Sequence, residues 1–145
     1  MFWIRYNKKL CYRLNFRNSK YYEGIYILFN TGLRISEFCG LTINDIDFKK
    51  HCIRIDHQLN KRGSKGYYIQ EPKTDNGIRT IPMTTDVEEC FRTIITNRNP
   101  PNKEPIVDGK KGFLFFDKDG SIMYSLHWEH YFKGDSLIMI YMFSN

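Results

Sequence analysis

Apolar positions recur at two different periods along the chain, and the changes of period mark out its elements. Over residues 21–31, Ile25, Leu28 and Phe29 share one face at helical spacing, which predicts a helix. Gly32 stands where that helix would end, because a left-handed residue after the last turn costs least when it is glycine. A second short helix starts near Arg34 and runs through Ile35, Phe38 and Leu41. Residues 44–48 read as a turn into a strand. Over residues 51–56 the period falls to two. Cys52, Arg54 and Asp56 point one way and Ile53 and Ile55 the other, as in a half-buried strand. Residues 60–66 form a polar, glycine-containing loop. Two β-like runs, 67–74 and 78–83, flank Asp75-Asn76-Gly77. An Asn-Gly pair predicts a tight type I′ hairpin, which needs two positive φ angles, and such a hairpin puts Lys73 close to its tip.

Thr85-Asp86-Val87-Glu88 has capping-box spacing and predicts a helix over residues 86–97. Its acids come early, and Arg92 and Arg98 come late, as the helix dipole favours. A Pro/Gly-containing loop (99–112), a short apolar strand (113–116), a turn (117–120) and a helix over 126–132 complete the order. The expected fold class is α+β, mainly helical, with a small three-stranded antiparallel sheet.

Composition narrows the function classes. A chain of 145 residues with 41% hydrophobic and 16% aromatic content suits one globular domain and excludes disorder. The net charge of +6 is unevenly spread. Residues 1–20 carry Arg5, Lys8, Lys9, Arg13, Arg17 and Lys20 with no acid, while the remainder is balanced. Within that remainder, residues 49–65 hold Lys49, Lys50, Arg54, Lys61, Arg62 and Lys65 against Asp56 alone. Such a surface suits a polyanion such as nucleic acid; a solvated basic loop is the plainer alternative. Cys11, Cys39, Cys52 and Cys90 lack metal-ligand spacing and read as free thiols. Residues 1–17 contain no signal-peptide core, and the apolar run 137–143 is too short to span a bilayer. The expected location is the cytoplasm, with no membrane partner.

Two segments carry candidate chemistry. The first is Thr31-Gly32-Leu33-Arg34-Ile35-Ser36-Glu37-Phe38-Cys39-Gly40-Leu41. Arg34 opens a helix, where backbone N–H groups favour an anion and a guanidinium can bind phosphate through two parallel hydrogen bonds. Glu37, one turn on, could hold Arg34 in one rotamer; an ordinary helical salt bridge is the alternative. The second segment is Pro72-Lys73-Thr74-Asp75-Asn76-Gly77-Ile78-Arg79-Thr80-Ile81-Pro82. Lys73 at a turn can reach beyond the domain surface as a phosphate ligand or a proton donor, and a solvated lysine is the alternative.

Together the segments resemble the tyrosine recombinases. Thr-Gly-Leu-Arg-Ile-Ser-Glu followed by a leucine resembles that family's first arginine box. Lys-Thr followed by Arg-Thr-Ile-Pro resembles its lysine hairpin, and residues 42–48 resemble its run into the first strand. The wording of residues 21–48 is most similar to integrases of conjugative transposons and Gram-positive phages. The resemblance covers residues 21–133 and implies the front part of a recombinase catalytic domain. It implies a cofactor-free and metal-free transesterification, in which a tyrosine attacks a DNA phosphodiester and forms a 3′-phosphotyrosine link. Arg34 would stabilise the charge on phosphorus, Lys73 would protonate the leaving 5′-oxygen, and Glu37 would support the arginine helix. Lys61, Arg62, Lys65 and Arg79 are the further candidate DNA contacts. The implied partners are double-stranded DNA at recombination sites and other integrase protomers.

The family pattern also includes a His-x-x-Arg box and a nucleophilic tyrosine, and no arginine follows Arg98. His127-Trp128-Glu129-His130 lacks the arginine and is not a familiar zinc motif, so both histidines read as ordinary helix residues. Tyr141 lies in an apolar tail, 134–145, that reads as foreign to the family, as does the basic segment 1–20. The expectation is a truncated integrase, inactive alone, whose missing helices leave apolar surface exposed. A non-catalytic DNA-binding module and an inactive remnant are the alternatives.

Overall fold

A computed structural model of the chain describes residues 21–133. The basic segment 1–20 and the tail 134–145, with Tyr141, lie outside the described residues.

Helix α1 (Tyr22–Thr31) ends as predicted on Gly32, at φ 67°, whose N–H donates to the Leu28 carbonyl. Its burial is wider than the periodic face suggested, because Ile25, Tyr26, Ile27 and Leu28 are all buried. The helix is covered on two sides. Toward one side the Tyr26 hydroxyl donates to Asp86 of α3 (Thr85–Thr96), and burial beside that carboxylate pushes the phenol well above its ordinary value. Toward the other side, Gly24 lies against Trp128 of α4 (Ser125–Lys133). A Cβ placed at Gly24 would meet the indole at 2.5 Å, so the glycine is what lets the two helices approach.

Trp128 is the centre of an aromatic cluster. Its ring meets Phe38 edge-on at 5.1 Å, Phe115 at 5.4 Å and Tyr21 at 5.2 Å between centroids. Phe38 belongs to α2 (Ile35–Gly40), so this cluster seats the helix that begins at Arg34. The indole N–H is the one buried side-chain polar atom among the described residues without a hydrogen-bond partner. Shape, rather than polarity, therefore fixes Trp128.

A three-stranded antiparallel sheet is present, as predicted, but it is assembled from different strands. Its order is β1 (Ile46–Asp47), β2 (Cys52–Ile55) and β5 (Arg79–Pro82), with Ile46 opposite Ile53 and Ile53 opposite Ile81. Ile53 and Ile55 are buried and Arg54 is exposed, which matches the alternation in the sequence. The run beginning at Tyr67 does not join this sheet. As β4 (Tyr67–Gln70) it pairs with β3 (Gln58–Lys61) in a separate two-stranded ribbon, with Leu59 opposite Ile69. Part of the expected 60–66 loop is thus strand.

The predicted type I′ hairpin is absent. Neither Asn76 nor Gly77 has a positive φ, and Asp75–Gly77 is a 3₁₀ turn in which Gly77 N–H donates to Thr74 and Ile78 N–H to Asp75. The glycine is needed for space, because a Cβ at Gly77 would collide with the ring of Pro72. The turn therefore links two different sheets instead of two neighbouring strands. The apolar segment 113–116 is also not a full strand. It makes isolated bridges, Thr42 with Phe113 and Phe116 with Ile122, and buries Phe113, Leu114 and Phe115.

The cap of α3 is Thr84, not Thr85: the Thr84 hydroxyl accepts from Val87 N–H. Cys39 and Cys90 are buried and Cys52 is half-buried. Exposed large apolar side chains among the described residues are Ile43, Ile78, Ile106 and Leu126, on four separate segments. No helix among the described residues is long and apolar enough to cross a membrane.

Two stability outcomes follow. Gly→Ala in a helix interior ordinarily stabilises by about 1 kcal/mol. Gly24→Ala is expected to reverse that sign and destabilise by about 1–3 kcal/mol, since the rigid indole must shift; the urea midpoint measures it. Thr84→Ala is expected to cost about 1 kcal/mol. Thr85→Ala should stay close to neutral by the same measurement.

Candidate functional site

One cleft of about 650 Å³ gathers side chains from both sequence segments that carried candidate chemistry. Arg34 contributes from the N-cap of α2 and Glu37 from its first turn, Lys73 from the turn, Arg79 from β5, His57 from the link between β2 and β3, and Gln58 from the start of β3. Arg34 and Lys73 are both exposed, and among the described residues neither side chain has an ion-pair partner. The backbone of Arg34 is extended, with φ −67° and ψ 144°, so it stands as the residue before the first helical turn.

Glu37 is the organiser of this cleft, though not in the way its spacing suggested. Its carboxylate does not bind the Arg34 side chain. It accepts the Arg34 backbone N–H at 3.0 Å and the Arg79 guanidinium through two parallel bonds, Nη1 to Oε1 at 2.9 Å and Nη2 to Oε2 at 2.8 Å. The carboxylate is buried, with 8% of the residue exposed. Burial alone would raise its pKa. The Arg79 fork, the Arg34 amide and the two positive charges outweigh burial and hold it below the ordinary carboxylate value. Arg79 gains correspondingly, held by the same hydrogen bonds further above its usual range.

At the other end of α2, the buried His57 makes contacts through both ring nitrogens. Nε2 lies 2.6 Å from the carbonyl of Gly40, the last residue of the helix, and Nδ1 lies 2.5 Å from Asp56. A ring N–H aimed at that carbonyl satisfies one of the acceptors that every helix C-terminus leaves unpaired. Gly40 is required beside it, because a Cβ would sit 2.9 Å from the Leu59 amide nitrogen. The Ser36 hydroxyl donates to Gln58 at 2.6 Å, tying the same helix to β3 midway. Asp56 is held below its ordinary value: burial opposes this, but His57, Lys110 and Arg54 outweigh it.

Asp45, Asp56 and His57 bring ligand-type atoms within 4.8 Å of one another. Those atoms already have other partners. Asp45 Oδ2 accepts both the Thr42 amide and the Thr42 hydroxyl at 2.8 Å, and Lys110 Nζ lies 3.8 Å from Asp56. The trio is thereby tied into the turn after α2.

Of the predicted DNA contacts, only Arg79 lines the cleft. Lys61, Arg62 and Lys65 stand exposed at the far end of the β3–β4 ribbon and its turn. Lys61 Nζ lies over the rings of Tyr67 and Tyr124 at 5.3 and 5.1 Å, and the Arg62 guanidinium over Tyr68 at 5.2 Å. His127 is partly exposed, accepts the Tyr124 amide and sits 3.5 Å from Asp117, while His130 is exposed. His57 and Gln58 escaped the sequence reading. A single histidine after a strand has no periodicity to mark it, and its meaning comes from a helix end that only folding brings near.

Comparison with known proteins fits this geometry. The sequence model of the phage integrase family matches residues 8–135. The chain is 45% identical over 100 residues to the transposase from transposon Tn916 of Enterococcus faecalis, an alignment covering 69% of this chain and 24% of that protein. It is 30% identical over 110 residues to a XerC-like tyrosine recombinase of Caldanaerobacter subterraneus subsp. tengcongensis, covering 66% of this chain and 27% of that one. The chain thus spans about a quarter of the length of these curated relatives. Among solved structures, the Tn1549 transposon integrase in complex with circular intermediate DNA superposes with a TM-score of 0.82 at 38% identity, covering 96% of this chain and 45% of that one. The same integrase with transposon right-end DNA gives a TM-score of 0.77 at 37% identity, covering 89% and 43%. The chain therefore belongs to the phage integrase family, the tyrosine recombinases, and within it to the conjugative-transposon type.

Proposed function

We propose that this chain supplies the phosphate-gripping part of a tyrosine recombinase active site, acting on double-stranded DNA in the integration and excision of a mobile element. The observation that carries this reading is the shared cleft. Arg34 and Lys73, far apart in sequence, line one concavity with free cationic heads among the described residues. Transfer of a DNA strand builds negative charge on the non-bridging phosphate oxygens, and fixed cations answer it without reorganising at the moment of reaction. Arg34 takes the position of a bidentate oxygen ligand. Lys73 takes that of the acid that protonates the leaving 5′-oxygen as the P–O5′ bond breaks and a tyrosine oxygen bonds to phosphorus.

Residues 21–133 are read as the partial catalytic domain. Lys61, Arg62 and Lys65 extend the contact along the duplex, with the charged heads of Lys61 and Arg62 lying over tyrosine rings. A DNA substrate places the work in the cytoplasm, with other integrase protomers at the same site. The second arginine of the family's pattern is not among these 145 residues after Arg98. The observation favouring a purely binding role is the exposed ribbon end, whose three cations lie apart from the cleft.

Binding of a mixed-sequence duplex, measured by fluorescence anisotropy across a salt series, tests the proposal. Affinity should fall steeply with salt. Arg34→Ala and Lys73→Ala should each weaken binding modestly and lower the slope of log affinity against log salt by about one. Binding that ignores both substitutions would remove the cleft from the DNA interface. A suicide substrate should yield no covalent protein–DNA adduct with this chain alone, since one missing charge donor already costs about 100- to 1000-fold in rate. An adduct on a gel would show a competent nucleophile within the 145 residues.

A further inference from the structure

We propose that Arg79 is a positioning residue that locks the arginine helix to the lysine turn, and that it does not itself bind DNA phosphate. The proposal rests on the reading that Arg34 and Lys73 grip a phosphate, and it replaces the expectation that Arg79 contacts DNA directly.

Both terminal nitrogens of Arg79 are committed to Glu37, at 2.9 and 2.8 Å in a parallel fork. The side chain is 37% exposed, whereas that of Glu37 is only 9% exposed. The asymmetry identifies the dependent partner. A buried carboxylate without its cation is strongly destabilised, while a half-exposed guanidinium can fall back on water. Withdrawing Arg79 toward a phosphate would strand Glu37, so the fork opposes a direct DNA role.

The carboxylate passes this constraint on. Its Oε2 receives one Arg79 nitrogen and also the backbone N–H of Arg34. Arg79 therefore acts through Glu37 on the residue that opens α2. Arg79 is also the first residue of β5, paired opposite Ile55, and lies directly beyond the Asp75–Gly77 turn that follows Lys73. One guanidinium thus holds the exit of the lysine turn and the entry of the arginine helix at once.

Charge gives the arrangement a second effect. The cleft is lined by Arg34, Lys73 and Arg79 against Glu37 and Glu71. An unpaired Glu37 would repel an incoming phosphate next to Arg34. Pairing it with Arg79 cancels that repulsion and leaves Arg34 and Lys73 as the cations that face a ligand.

The test uses Arg79→Gln and Arg79→Lys in the full 145-residue chain with two measurements. The first is amide hydrogen exchange at Arg34, which needs no DNA. The glutamine variant should speed exchange there about tenfold or more relative to amides in α3, and lysine, which keeps the charge without the fork, should fall between glutamine and wild type. The second is the salt dependence of binding to a mixed-sequence duplex. Arg79→Gln should weaken binding about three- to tenfold with an unchanged slope, unlike Arg34→Ala. Unchanged Arg34 exchange in both variants overturns the proposal, as does a slope lowered by about one. If Arg79→Gln does not fold, the lysine variant decides by the same exchange criterion. Wild type failing to bind the duplex would sink the DNA-binding reading instead, and Arg34 exchange would still decide the role of Arg79.

Discussion

A buried carboxylate in a cleft proposed to grip a phosphate is a conflict, and the fold around Glu37 is arranged to resolve it. The side chain of Glu37 points inward from a six-residue helix, where desolvation alone would favour its neutral form. Two guanidinium bonds and one backbone amide keep it ionised. The partners come from the start of the same helix and from a strand distant in sequence, so satisfying one charge sets the relation between helix and sheet. Removing the carboxylate would relieve the electrostatic conflict but would leave the Arg34 amide and the Arg79 fork without their acceptor.

Three further attachments act on the same short helix. His57 meets the carbonyl of its last residue, Gln58 meets Ser36 at its side, and Trp128 packs against Phe38 on its inner face. A helix of six residues has little stability of its own. It is rigid because tertiary contacts bind its start, side, inner face and end, and that rigidity is what a preorganised cation requires.

The sequence revealed local features and missed those decided by long-range contacts. Gly32 as a helix stop and the alternation of Ile53 and Ile55 were legible because backbone conformation and burial follow from neighbours alone. The Arg34 and Lys73 boxes were legible as words, and the resemblance implied that both act on one phosphate; the fold brings them to one cleft. The Asn76-Gly77 pair misled, since a glycine demanded by a crowded contact with Pro72 carries the same letter as one demanded by a positive φ. The role of Glu37 was half visible: spacing pointed to Arg34, but only folding supplies Arg79, and the stronger pairing takes the side chain. Thr84 and Thr85 illustrate the smallest scale of error, two adjacent candidates for one cap.

The contact between Pro72 and Gly77 closes the base of the turn that carries Lys73. A bracket pinched in this way leaves the four-carbon lysine stem as the adjustable length on the protein side. In a DNA complex of the kind proposed, the rest of the fitting falls to the nucleic acid, so groove width and bendability become quantities the bracket can select without touching a base.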